Sequence, residues 1–179
     1  PPQAGFTLTP DPGTGPAGPT NPSRPMQPGI PQLQFFADLS VQVGAPIEVG
    51  RTARGLRRMI PITGGTARGE GWTAHVLPGG ADYQLVATDT TAYLEAHYVL
   101  ETDGGDRIYV RNQAIRVAPP EVTARLLRGE PVDPAQVYFR CVPAFETAAA
   151  SLAWINERLF VGSGVRHPDR VAMQFFELA

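Results

Sequence analysis

The sequence predicts an all-β fold, a sandwich or a barrel of eight or nine short strands with two helical interruptions. Three observations carry this expectation. Apolar and polar residues alternate with a period of two through most of the chain. Gly, Pro and Asp recur between these runs at the spacing of a sandwich or barrel. Helical spacing of apolar residues occurs in two stretches only.

At 179 residues the chain is long enough to bury one real core. Residues 1–31 hold a large share of its 19 prolines, mixed with Gly, Thr and Asn. Such a segment cannot bury enough apolar surface to offset its own ordering entropy. It is expected to be a leader or linker, or an extended arm against the barrel or a neighbouring subunit, with a single folded domain over 32–179. The chain starts at Pro1, which fits a processed precursor or removal of Met before Pro. The compartment is therefore left between cytoplasmic and exported after N-terminal processing.

In order, LQFFADLSVQVG reads as a strand broken once, with Phe36, Leu39, Val41 and Val43 among its apolar residues. Residues 45–50 turn into an arginine-rich segment, Arg51 to Arg58. MIPITGGTARG, WTAHVLPGG, DYQLVATD, AYLEAHYVLET, RIYVRNQAIRV, QVYFRCVPAFE and VAMQFFEL follow as strands. Ile62-Thr63-Gly64-Gly65 and Pro78-Gly79-Gly80 read as tight hairpin corners, since Pro fixes one dihedral and Gly opens angles closed to other residues. Asp103-Gly104-Gly105-Asp106 joins two further strands. PPEVTARLLRGEP predicts a helix with Pro near its start and Gly129 as its stop. Thr147 is placed to cap a second helix over 148–159, with Leu152, Ile155 and Leu159 on one face and Trp154 free for another contact. FVGSG then breaks that helix.

A net charge of −2 and a pI near 5.9 give no electrostatic footprint for nucleic acid or an anionic membrane. No apolar run approaches the roughly 18 residues that span a bilayer as a helix. The lone Cys141 excludes an internal disulfide and any Cys-pair zinc site. His75, His97 and His167 are scattered, so no metal site is assigned.

The chemistry that remains lies in polar residues on alternating strands. Tyr93, Glu95, His97 and Val99 share one face, and Leu94, Ala96, Tyr98 and Leu100 the other. Arg107, Tyr109, Arg111 and Gln113 oppose Ile108, Val110 and Asn112, while Tyr138, Arg140 and Val142 oppose Phe139 and Cys141. Tyr109, Arg111, Arg140 and Asp82 form one candidate cavity lining, each neutralising another. The alternative is that they are exposed cross-strand pairs. One of Arg57 and Arg58 points inward, and Glu146 either caps the following helix or reaches the cavity mouth.

The motifs IPITGG (60–65), VLPGGADYQL (76–85), DRIYVRN (106–112), YFRCVPAFET (138–147) and WINERLFVG (154–162) resemble, in this order, the small β-barrel proteins catalogued as domain of unknown function 3237. The resemblance runs from about Phe35 to Leu178. It implies a closed, calycin- or lipocalin-like antiparallel barrel that self-associates as a homo-oligomer. It also implies a pocket for a small hydrophobic or aromatic ligand, with some fungal relatives similar to cyclases that add a hydroxyl across an alkene. Such chemistry needs no cofactor, only a general acid and a general base across a shaped apolar pocket. The family's polar motif positions fall on Arg58, Asp82, Tyr98, Tyr109, Asn112, Arg140, Glu146 and Trp154. Two positions depart from the family pattern: His97 stands where an Arg is usual, and Cys141 where a Thr is usual. The expected roles are Asp82 or Glu146 as base and Tyr109 or His97 as acid. Arg58, Tyr98, Asn112, Arg140 and Trp154 are expected to hold the substrate. The rival expectation is a carrier without catalysis.

Overall fold

The structure, a computed structural model, describes residues 29–179. The expectation for the leader falls outside these residues over 1–28. Ten strands make one antiparallel sheet: β1 (Leu33–Val43), β2 (Ile47–Thr52), β3 (Gly55–Gly69), β4 (Trp72–Val76), β5 (Ala81–Val86), β6 (Thr91–Thr102), β7 (Arg107–Val117), β8 (Tyr138–Thr147), β9 (Phe160–Arg166) and β10 (Arg170–Leu178). β1 pairs with both β10 and β3, so the sheet closes on itself. Leaving out β2, which pairs with β3 alone, and counting β4 and β5 as one position, the ring has eight strands and is a barrel. Closure leaves a single lumen, and the pleat then sends alternate side chains into it.

The face that turns inward is the more apolar one on every long strand. On β6 it carries Ala92, Leu94, Tyr98 and Leu100, and on β7 Ile108, Val110, Asn112 and Arg116, all buried. On β8 it carries Phe139, Cys141 and Phe145. One end of the lumen is plugged by aromatic rings. Phe36 meets Phe160, Phe145 and Trp154 at centroid separations of 4.7, 5.0 and 5.6 Å. Ile155 seats beneath them at 1% exposure, carried by the 3-10 segment Ala150–Glu157. That segment takes the place of the α-helix expected over 148–159. Its Leu159 end is 70% exposed because the chain has already turned into β9. Thr147 does serve its start, where its Oγ1 accepts the Ala149 N–H.

The other helix is as expected. α1 (Pro120–Leu127) begins on proline and ends before Gly129, whose φ of +76° only glycine adopts freely. Its Val122 and Leu126 pack on Ala118, Val132 and Val137 in a small cluster of their own.

Two glycine corners are not hairpins. Gly64 and Gly65 lie inside β3, where its register against β1 shifts. There the strand bends to follow the barrel wall, and bulges with glycine are how sheets make such bends. A Cβ on Gly65 would sit 2.1 Å from the Ser40 carbonyl oxygen, at a φ of +135°. Likewise Pro78-Gly79-Gly80 does not fold β5 back on β4. Both strands pair with β3 on one side and β6 on the other, so the corner is a break within one strand position. Two strands escape the sequence reading, β2 and β9. In β9 the glycines that disguise it are required by packing: a Cβ on Gly164 would lie 2.8 Å from the Phe139 ring, and one on Gly162 2.9 Å from the Cys141 sulfur.

Gly65→Ala is expected to cost about 3 kcal/mol or more, since it combines backbone strain with a main-chain clash. Gly71→Ala, at a φ of +76° with open space around it, should cost about 1 kcal/mol. Urea unfolding of the two variants measures the difference, and equal losses would refute the account of the β3 bend.

Candidate functional site

The register of the inner strands sets three polar side chains on one wall of the lumen. Asp82 of β5 pairs with Ala96 of β6, and Ala96 pairs in turn with Asn112 of β7. Tyr98 follows two residues along β6 on the same face. All three border a cavity of about 40 Å³ whose other walls are apolar, among them Ile62, Leu94, Phe139, Val171 and Met173.

Each of the three has a buried oxygen without a protein partner: Asp82 Oδ1, Tyr98 Oη and Asn112 Oδ1. Their other contacts are few. Asp82 Oδ2 accepts from Gln84 Nε2 at 2.6 Å, and Asn112 Nδ2 donates to the Met173 sulfur at 3.4 Å. A buried polar atom left unpaired costs about 1–3 kcal/mol, and folded proteins keep few of them. Three on one small cavity set it apart from the packed remainder of the lumen.

At the α1 end of the lumen the same strands bring in arginines. Arg58 of β3 is 4% exposed, its Nη1 donates to the Leu127 carbonyl at 3.4 Å, and its Nε has no partner. Arg116 of β7 is 5% exposed. Arg166 of β9 is partly buried and donates to the Arg170 carbonyl. Both Arg116 and Arg58 interact electrostatically with Asp82.

The remaining residues predicted from sequence lie outside the lumen. Tyr109, Arg140 and Glu146 face outward, as does His97, which is half-buried. The expected lining of Tyr109, Arg111, Arg140 and Asp82 is therefore divided, with Asp82 alone inside. The reason is the pleat: turning Tyr109 and Arg111 in would have turned Ile108, Val110 and Asn112 out. On the outer wall His97 Nδ1 lies 2.5 Å from Tyr109 Oη, and its Nε2 lies 3.3 Å from Glu95. Glu146 is the cross-strand neighbour of Tyr109. Arg140 stacks over the Tyr138 ring at 5.0 Å. Trp154 is 41% exposed at the aromatic end. Thus Arg58, Asp82, Tyr98 and Asn112 gather inside. Sequence reasoning missed Arg116 and Arg166. Arg116 has the strand parity of Val110 and Asn112, which was the available signal, whereas Arg166 lies on the unrecognised β9.

A family model described as protein of unknown function (DUF3237) matches residues 31–178. The chain belongs to this family. It is 42% identical over 147 residues to a UPF0311 protein of Rhodopseudomonas palustris, covering 82% of this chain and 96% of that one. The crystal structure of a conserved protein of unknown function from the same organism matches at a TM-score of 0.80 and 39% identity, over 86% of this chain and all of that one. A solved β-barrel-like protein of Acinetobacter baumannii matches at a TM-score of 0.75 and 36% identity, over 86% and 99% of the two chains. A solved protein of Penicillium herquei, described as an enzyme, matches at 0.64 with 17% identity, over 86% and 98%; likeness of that degree speaks for the fold.

In this DUF3237 barrel the lumen changes the acidity of what it holds. Burial raises the Asp82 carboxyl above its ordinary range, against the pull of its Gln84 hydrogen bond and of Arg116. Burial likewise raises the Tyr98 phenol. It pushes the Cys141 thiol up to about 11, which leaves that sulfur a packing atom rather than a nucleophile. Desolvation lowers Arg116 to about 10 and lowers Arg58 and Arg166 as well.

Two outcomes follow for stability. Because the native state holds the Asp82 proton more tightly than the unfolded chain does, that contribution is full below the unfolded value of about 4 and is lost as pH rises through the native value. The melting temperature of the wild type should therefore fall relative to Asp82→Asn across that window. A wild type that instead gains on the variant would contradict the burial argument. Tyr98→Phe removes an unpaired buried hydroxyl, so it should leave stability unchanged or raise it by about 1 kcal/mol. A clear loss in calorimetry would show that the hydroxyl has a partner inside the chain.

Proposed function

We propose that the lumen is a small-molecule site in which Asp82 transfers a proton to or from a hydrophobic or aromatic substrate. The reaction is of cyclase, lyase or isomerase type. One observation supports this above the rest: Asp82 Oδ1, Tyr98 Oη and Asn112 Oδ1 turn unpaired buried oxygens on the same apolar cavity. A carboxyl whose proton affinity is raised by burial is suited to giving a proton in one step and taking it back in the next. Tyr98, neutral throughout, serves as a donor to an oxygen on which charge develops, and Asn112 orients the bound group. This assignment replaces the outward Tyr109, His97 and Glu146 with residues of the lumen.

The cavity limits what can react there. At about 40 Å³ it admits some three water-sized groups at roughly 10–15 Å³ each. The reacting end of the substrate is accordingly a small group, and a larger skeleton needs α1 or the side chains beneath it to shift. The mainly apolar lining also fits a carrier without catalysis, and the two readings separate on Asp82.

Incubation of the full chain with phenolic and polyketide-like compounds in D2O, followed by mass spectrometry, reads proton transfer as incorporated deuterium. Incorporation is expected with the wild type and is expected to fall by about 10²-fold or more in Asp82→Asn, the usual scale of one general acid or base. Incorporation that survives in the variant refutes the role of Asp82. Binding without incorporation in either protein selects the carrier.

A further inference from the structure

Among the described residues, two buried arginines at the α1 end of the lumen have one buried carboxyl, Asp82, acting on both. Arg58, Arg116 and Arg166 approach one another there, and desolvation lowers all three. The carboxylate that faces them from within the barrel is Asp82, and its hydrogen bond goes to Gln84. Glu48, the exposed cross-strand neighbour of Arg58 on β2, acts on Arg58, and Asp169, which acts on Arg166, pairs with Arg170 at 3.2 Å. Among the described residues Arg116 makes no side-chain hydrogen bond or ion pair, and at 5% exposure it has little water. Arg58 gives one long bond to a carbonyl and keeps a buried Nε unpaired.

A buried guanidinium with no anion in hydrogen-bond contact is far more costly than a surface arginine. Two such groups that act on one another electrostatically, beside a third, supply planar donors of the kind that recognise a planar oxyanion. Asp82, on which these arginines act, also borders the apolar cavity. We propose that the ligand is a carboxylate on a short apolar skeleton, its charged oxygens held by Arg58, Arg116 and Arg166 and its apolar end in the cavity beside Asp82 and Tyr98. This deepens the reading of the lumen as a small-molecule site. It also couples the arginines to proton transfer, because a carboxylate that neutralises Arg58 and Arg116 removes their pull on Asp82 and favours its protonated form.

The test is the calorimetric melting of the full chain against butyrate, its neutral isostere butyramide and inorganic phosphate, at constant ionic strength. Butyrate is expected to raise the melting temperature saturably, while butyramide and phosphate leave it in place. Arg116→Met, which removes an unpaired buried charge, should melt no lower than the wild type and should weaken butyrate by about tenfold or more. Arg166→Met serves the same purpose if the first variant fails to fold. Arg140→Met, on the outer wall, should keep the full response. No response to butyrate, an equal response to butyramide or phosphate, or an undiminished response in both Met variants overturns the assignment. Since melting reads binding alone, an Asp82→Asn protein that has lost deuterium exchange but still separates butyrate from butyramide is distinguishable from one that has lost the anion site.

Discussion

Everything in the lumen depends on the double pairing of β1. By bonding to β10 on one edge and β3 on the other, β1 turns a sheet into a ring and gives its strands a common inside. Once the ring is closed, a side chain has only two destinations, and the register fixes which. Asp82 enters the lumen because Ile60 opposite it does, and Asn112 enters because Ala96 does. The bend that allows closure is made at Gly64 and Gly65, where no side chain could stand between β3 and the Ser40 carbonyl. A backbone requirement in one strand thus determines which polar groups lose their water in others.

The two ends of the barrel are built on opposite principles. Around Phe36, Phe145, Phe160 and Ile155 the lumen is filled by rings and aliphatic groups, and burial there stabilises the fold in the ordinary way. Around Asp82, Tyr98, Arg58 and Arg116 the same barrel carries unpaired oxygens and desolvated guanidiniums, each a cost. Proteins tolerate such costs where a function needs them and recover them from well-packed regions elsewhere. The aromatic plug is that recovery. It leaves the α1 end able to hold polar groups that packing alone would exclude.

Much of the architecture is legible in the chain. Strand alternation in AYLEAHYVLET and RIYVRNQAIRV identifies β6 and β7 and sorts their faces correctly, and Pro120 and Gly129 bound α1. The exceptions have physical causes. β9 is hidden by Gly162 and Gly164, whose missing side chains make room for the Cys141 sulfur and the Phe139 ring, contacts that only the fold brings about. The glycines of β3 and of Pro78-Gly79-Gly80 look like hairpin corners because a bulge, a break and a turn draw on the same residue. For the site, the family motifs draw attention to Arg58, Asp82, Tyr98 and Asn112, but also to Tyr109, Arg140 and Glu146. Local sequence cannot say which face a charged strand presents to the lumen. The apolar content of the opposite face decides that, and on β7 it turns Tyr109 and Arg111 outward and Arg116 inward.

The central claim is that Asp82 sits in the lumen as a buried carboxyl whose proton is held unusually well. Titration of its side-chain carbon by ¹³C NMR, assigned by its loss in Asp82→Asn, measures this directly. The midpoint is expected above the ordinary carboxylate value of about 4, and it should rise further when butyrate is added. A midpoint at or below that value, unmoved by the anion, would mean that Asp82 is solvated or already paired with an arginine, and the lumen would then be a packed interior rather than a site.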